Sequence, residues 1–126
     1  MARRRGDKVW AAGLALLALA CAPTTSVKAE AGEAAVRRFF AALPSRDCAV
    51  LGPMLATGGG ARPCEDTVRE LREHGLMLEE VLEAKVDGRD PNAVLVRARM
   101  SSDGAVRREP YLLRVEQQAG SWRLRL

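Results

Sequence analysis

The sequence predicts an α+β domain in which three N-terminal helices pack on an antiparallel sheet of at least four strands. Three observations carry that expectation. Apolar residues recur at helical spacing from Val36 to Leu71, the period drops to two beyond Leu76, and turn-forming residues punctuate the second half. Helices first, then strands with one apolar and one charged face, is a two-layer arrangement with a single buried sheet face.

Residues 1–20 precede that domain and read as a targeting segment. Arg3, Arg4, Arg5 and Lys8 make a positive start, and Val9–Ala20 is an uncharged run of twelve residues. A stable membrane span needs roughly 20 such residues, whereas a signal peptide's apolar region is shorter. Ala18-Leu19-Ala20 ends the run in a small-x-small pattern, directly before Cys21. This resembles a bacterial lipobox and implies a lipid-modified Cys21 as the first mature residue. Cleavage and release without lipid is the alternative outcome of the same signal. Both place the protein outside the cytoplasm, in the periplasm or at the cell exterior. With Ala22 rather than Asp after the cysteine, resemblance to enteric sorting favours the outer membrane. Residues 21–32, containing APTTSVKAEAG, are then read as lipid-anchor Cys and flexible tether, and residues 33–126 as the domain.

Val36, Phe39, Phe40 and Leu43 fall at i, i+3, i+4 and i+7, one face of a first helix that Pro44 ends. A second, shorter helix runs from about Asp47, its N-cap, with Cys48, Leu51 and Leu55 on a shared face and Pro53 shortening it. TGGGARP (57–63) is a loop. Its glycines are not a phosphate cradle, because no Lys-Ser/Thr follows and no strand precedes them. Cys64, Val68 and Leu71 mark a third helix closing near Gly75, with Glu65 and Asp66 at its positive dipole end.

With Cys21 assigned to the anchor, Cys48 and Cys64 remain as a pair, and an oxidising compartment favours a disulfide between them. Both lie on apolar helix faces, so the bridge would join the second helix to the third. Loop closure of this length stabilises by about 3 kcal/mol. Two buried thiols or a metal pair are the alternatives. No metal site is expected, since His74 is the only histidine and no CxxC occurs, and the cysteine spacing does not fit thiol redox catalysis.

Four strands follow. Leu82, Ala84 and Val86 alternate with Glu83 and Lys85. Val94, Val96, Ala98 and Met100 alternate with Leu95, Arg97 and Arg99. Tyr111, Leu113 and Val115 alternate with Leu112, Arg114 and Glu116, and Trp122, Leu124 and Leu126 with Arg123 and Arg125. Their separators are Asp87-Gly88 with Pro91-Asn92, Ser102-Asp103-Gly104, and Ala119-Gly120.

The segments AAVRRFFAAL (34–43), RDCAVLGPML (46–55), VDGRDPNAVLVRARM (86–100) and GSWRLRL (120–126) resemble the nuclear-transport-factor-2-like superfamily, and within it small exported lipoproteins. That superfamily includes ketosteroid isomerases and polyketide cyclases. The resemblance implies a curved, cone-like sheet wrapped around the first helix, with an apolar pocket used for catalysis, ligand binding or partner docking. Members usually have six strands, against the four counted here.

Function is then asked of residues. Phe39, Phe40, Glu80, Tyr111 and Trp122 are the candidate pocket lining. An isomerase-like enzyme would need a carboxylate base such as Glu80 with an oxyanion partner such as Tyr111. Tyr111 shares a strand face with Leu113 and Val115 and reads as core or pocket lining, Glu80 reads as a strand start, and His74 has no Ser or Asp at a suitable spacing, so no nucleophile–base pair is proposed. No catalytic residue and no cofactor is therefore assigned. Arg97, Arg99, Arg114, Arg123 and Arg125 gather on the charged sheet face. They read either as a solvated ion-pair ladder or as a docking face for an anionic surface or a protein partner, including a second copy in a homodimer.

The leading expectation is a non-catalytic exported domain, anchored to the membrane through lipid, that binds a small apolar ligand or a partner protein. A small isomerase or cyclase and a structural envelope protein are the alternatives. Nucleic acid is not an expected partner, because only 4% of residues are aromatic. The basic balance points the same way. Of 20 basic and 16 acidic residues, four basic and one acidic precede Cys21, leaving a mature chain at +1.

Overall fold

Strict alternation along the second half decides which sheet face is buried. In the computed structural model, which describes residues 24–126, Val94, Val96, Ala98 and Met100 are fully buried. Residues 1–20, the cysteine at 21 and residues 22–23 lie outside the described residues, and with them the expected signal and lipidation site. The strands are β1 (Met77–Asp87), β2 (Asp90–Ser102), β3 (Ala105–Val106), β4 (Tyr111–Gln118) and β5 (Ser121–Arg125). The antiparallel sheet runs β1-β2-β4-β5, with the two-residue β3 paired to β2. On its apolar face Val94 stands between Val86 and Val115, Val96 between Ala84 and Leu113, and Val115 beside Leu124.

β1 departs from the expected alternation. Leu78 pairs with Met100 but Glu80 with Arg99, and Val81 pairs with Ala98 but Glu83 with Arg97. Each step places two β1 residues against one on β2, as β-bulges do. Leu78, Val81, Ala84 and Val86 therefore pack against the core, while Leu82, expected inside, is an inserted bulge residue. Bulges also sharpen the local twist and bend of a strand.

The helices cover this face. α1 (Thr24–Ala42) touches all four long strands. Val36 and Phe39 are fully buried, and Phe40 and Leu43 nearly so. The helix begins well inside the stretch read as a tether, which corrects that reading. Ala, Glu and Lys dominate positions 28–35 and favour a helix. Gly32, at the end of the expected tether, marks close approach. A Cβ there would sit 2.6 Å from Val94 Cγ1 and 2.7 Å from its Cβ. One turn earlier, Lys28 Nζ donates to the Pro91 carbonyl at 3.0 Å.

Pro44 stops α1 within a 3-10 turn, Leu43–Ser45. α2 (Cys48–Leu51) is a single turn whose N-cap Asp47 accepts from the Ala49 N–H at 2.9 Å, and Pro53 lies in the 3-10 turn that follows. Leu55 then forms a parallel bridge to Leu124, and the Ala56 N–H donates to the Leu124 carbonyl, covering part of the β5 edge. α3 (Cys64–Glu73) carries Glu65 and Asp66 in its first turn. The expected disulfide joins Cys48 to Cys64, with Cα atoms 6.0 Å apart. The β1–β2 connection is tighter than expected. Asp87 and Asp90 each accept from the backbone N–H two residues on, and Pro91-Asn92 belong to β2 itself.

Replacing Gly32 by Ala tests the seating of α1. Helix propensity alone favours Ala by about 1 kcal/mol. Overpacking against Val94 reverses the sign, with an expected net loss of about 1–3 kcal/mol in urea unfolding. A gain in stability would show that 24–32 does not lie on the sheet.

Candidate functional site

An apolar concavity forms where α1 ends, α3 ends and β1 begins. α3 terminates in a backbone motif that builds its floor. The Leu76 N–H donates to the Leu71 carbonyl and the Gly75 N–H to the Arg72 carbonyl, both at 3.0 Å. This is a Schellman motif, and it needs a left-handed residue at Gly75, whose φ is +56°. Asp103 closes over the turn, donating its N–H to the His74 carbonyl at 3.1 Å, and a Cβ on Gly75 would meet Asp103 Oδ1 at 2.8 Å. The motif brings Leu71 and Leu76 to the same spot, and the new strand carries Leu78 alongside. Opposite them stand Phe40 and Leu43. The resulting groove has a volume of about 500 Å³, within the range of small-molecule sites.

Among the described residues, two charged ones line it, Arg37 and Arg72. Arg37 is engaged by Glu33 one turn earlier, at 3.0 Å on the exposed helix surface. Arg72 is half-buried and, among the described residues, has no carboxylate within ion-pair distance. Among the described residues, no carboxylate, histidine, tyrosine or hydroxyl lines the groove. A second depression of about 580 Å³ lies on the other side of Arg72, but its rim mixes Asp47, Glu65 and Glu73 with Arg46 and Arg69.

The candidate pocket residues do not converge. Phe40 alone lines the groove. Phe39 is wholly interior and packs edge-to-face on Phe40, ring centres 5.3 Å apart. Trp122 packs against the core from β5, and Tyr111 borders a separate shallow depression beside Arg107 and Arg108. Glu80, expected inward with Leu78 and Leu82, is exposed and lies 3.5 Å from Arg99. The bulge between Leu78 and Glu80 is the reason, because one inserted residue reverses the face of those after it. The His74 side chain is exposed, and its carbonyl also accepts from Ser102 Oγ at 2.9 Å. Among the described residues no cluster of His, Cys, Asp and Glu is placed to hold a metal ion.

The five arginines of the outer sheet face separate into two groups. Arg114 donates to Asp87 at 2.6 Å, Asp90 at 3.1 Å and Glu116 at 2.8 Å. Arg125 forms a two-pronged pair with Glu116, both contacts at 2.8 Å, and reaches the Thr57 and Gly58 carbonyls at 3.1 and 2.7 Å. Bidentate pairs of this kind are the stronger charge-assisted hydrogen bonds. Three carboxylates thus surround two guanidiniums, so this part of the face is anionic by one charge and not a free basic patch. Gln118 completes the tie to the glycine-rich loop, accepting from the Thr57 N–H at 2.9 Å and donating to its carbonyl at 3.0 Å. Arg99 faces Glu80, Arg123 donates to Ser121 Oγ at 3.2 Å, and Arg97 is exposed opposite Glu83.

The network shifts its own titrations. The Arg125 hydrogen bonds hold the Glu116 carboxyl below its ordinary value of 4.5, with burial opposing and Arg114 adding to the drop. The Asp87 carboxyl is also lowered, first by the Arg89 backbone N–H and then by Arg114.

Arg72, Leu71, Leu76 and Leu78 were not singled out as site residues. The signal available was Leu-Arg at the end of an amphipathic helix, Gly75, then Leu76 and Leu78 two apart. Comparison with known proteins finds no family model that matches the chain and no curated protein similar to it in sequence.

A group whose folded pKa is depressed contributes stability that is complete above its unfolded pKa and is lost as pH falls through the folded one. Replacing Glu116 by Gln is therefore expected to cost about 1–2 kcal/mol at pH 7. The same variant should lose less stability than the parent as pH falls from neutrality to below 4.5. Parallel pH–stability curves for the two proteins in urea unfolding would show that Glu116 is not held by its arginines.

Proposed function

We propose that this is an exported, non-catalytic domain that binds a small apolar molecule in the bacterial cell envelope, tethered there by lipid on Cys21. One observation carries the binding reading: an apolar groove of about 500 Å³ that, among the described residues, no carboxylate, histidine or nucleophile lines. A proton-transferring isomerase needs a base within reach of the bound molecule, and Glu80, the candidate, lies outside the groove. The export reading is supported by the Cys48–Cys64 disulfide, which belongs in an oxidising compartment, and by the residues before Cys21. No helix among the described residues is long and apolar enough to cross a membrane.

The domain is read as a shortened member of the nuclear-transport-factor-2-like superfamily with a cone-like sheet. Supporting that reading are the order of helices before an antiparallel meander, the bulged edge strand, and a first helix that touches every long strand. The five-stranded sheet is smaller than the six strands usual in that superfamily. Protein docking on the outer sheet face is the second reading, favoured by Leu112, 65% exposed and opposite Arg97 in register.

Native mass spectrometry of the gently purified protein tests the binding claim. A co-purified or added small apolar molecule should remain bound, and Ala41→Trp, which fills the groove from an exposed position on α1, should lower its affinity at least about tenfold. Binding unaffected by this variant would place the ligand elsewhere. The tether has its own test. The intact mature chain should begin at Cys21 and carry a diacyl or triacyl mass, and an unmodified chain would contradict the anchor.

A further inference from the structure

We infer that the groove takes a single-chain amphiphile with a carboxylate head, its chain lying between Phe40, Leu71 and Leu76 and its head on the guanidinium of Arg72. The inference rests on the binding function proposed above and names the ligand class of that same site.

Charge selects the head. Both ionisable residues that line the groove, Arg37 and Arg72, are cationic, so an anion entering it meets no like charge. The two arginines are not equivalent. Arg37 is held by Glu33, but among the described residues Arg72 has no carboxylate partner, whereas Arg69 is paired with Asp66 and Arg62 with Glu70. The acids of α3 nearest Arg72 in the lining of either concavity, Glu65 and Glu73, belong to the second depression and not to the groove. A half-buried guanidinium keeps its five donors and matches a carboxylate in a planar, two-pronged pair.

Shape selects the tail. The wall beside Arg72 is aliphatic and aromatic, formed by Phe40, Leu71, Leu76 and Leu78. Met77, 62% exposed at the groove's edge, adds an unbranched side chain that adapts to a flexible hydrocarbon. Arg72 occupies the last turn of α3, where a cation also favours the helix dipole. That role alone would not make its removal discriminate between a charged ligand and a neutral one, and the test uses this difference.

The experiment is calorimetric titration of the full chain with decanoate and, separately, with decanol, each below its aggregation concentration. The parent protein should bind decanoate about tenfold more tightly than decanol. Arg72→Gln, a half-buried surface change checked by its unfolding midpoint, should weaken decanoate about tenfold and change decanol less than about twofold. Equal affinities for the two ligands in the parent, or an unchanged decanoate affinity in Arg72→Gln, would overturn the head-group assignment while leaving apolar binding intact. Failure of both ligands to bind the parent would overturn the amphiphile and the binding function together. Arg72→Lys separates shape from charge, and retention of only part of the decanoate preference is the expected result.

Discussion

The close seating of α1 on β2 is the constraint on which the rest of the structure depends. At Gly32 a Cβ would already collide with Val94, so the helix axis lies as near the sheet as its backbone permits. That proximity lets Val36 and Phe39 be fully buried against Val94, Val96 and Val115. Pro44 stops α1, and Phe40 and Leu43 near its end line a gap together with Leu71 and Arg72 of α3. The groove is that gap. The disulfide between Cys48 and Cys64 holds α3 near the end of α1 through the short α2, so both groove walls belong to one cross-linked unit.

The outer face of the sheet follows different physics. Its arginines are abundant, but Arg114 and Arg125 are consumed by Asp87, Asp90 and Glu116 and by the loop carbonyls at Thr57 and Gly58. These contacts connect the β1–β2 turn, β4, β5 and the glycine-rich loop, regions far apart in sequence. The loop is thereby fastened to the sheet edge. Among the described residues, a cation without a carboxylate partner is found instead at the groove, in Arg72.

Much of the fold is legible in the sequence because period-two alternation is strict in β2, β4 and β5, where one face is buried without interruption. The Asp47 cap, the end of α1 at Pro44 and the cysteine pair are legible for local reasons: each depends on residue chemistry within a few positions. Two features are not. A bulge inserts a residue without changing composition, so nothing in MLEEVLEAKVD announces that Leu82 is displaced and Glu80 turned outward. The start of α1 is hidden because Gly32 serves a long-range contact, whereas sequence reasoning weighs a glycine by its local cost. The groove itself joins α1, α3 and β1, and no single segment carries its pattern. The ion pairs of Arg114 are equally non-local, since its partners at 87 and 90 are set by register.

Ligand binding in the groove, as proposed, and docking on the sheet's outer face bring different side chains into contact with a ligand. Isotope-filtered nuclear Overhauser spectroscopy between a labelled acyl-chain ligand and the protein tests the proposed groove binding most directly. Contacts from the chain to the side chains of Phe40, Leu71, Leu76 and Leu78 are predicted. Contacts confined to Leu112 and Val106, which stand exposed away from the groove, would contradict the account.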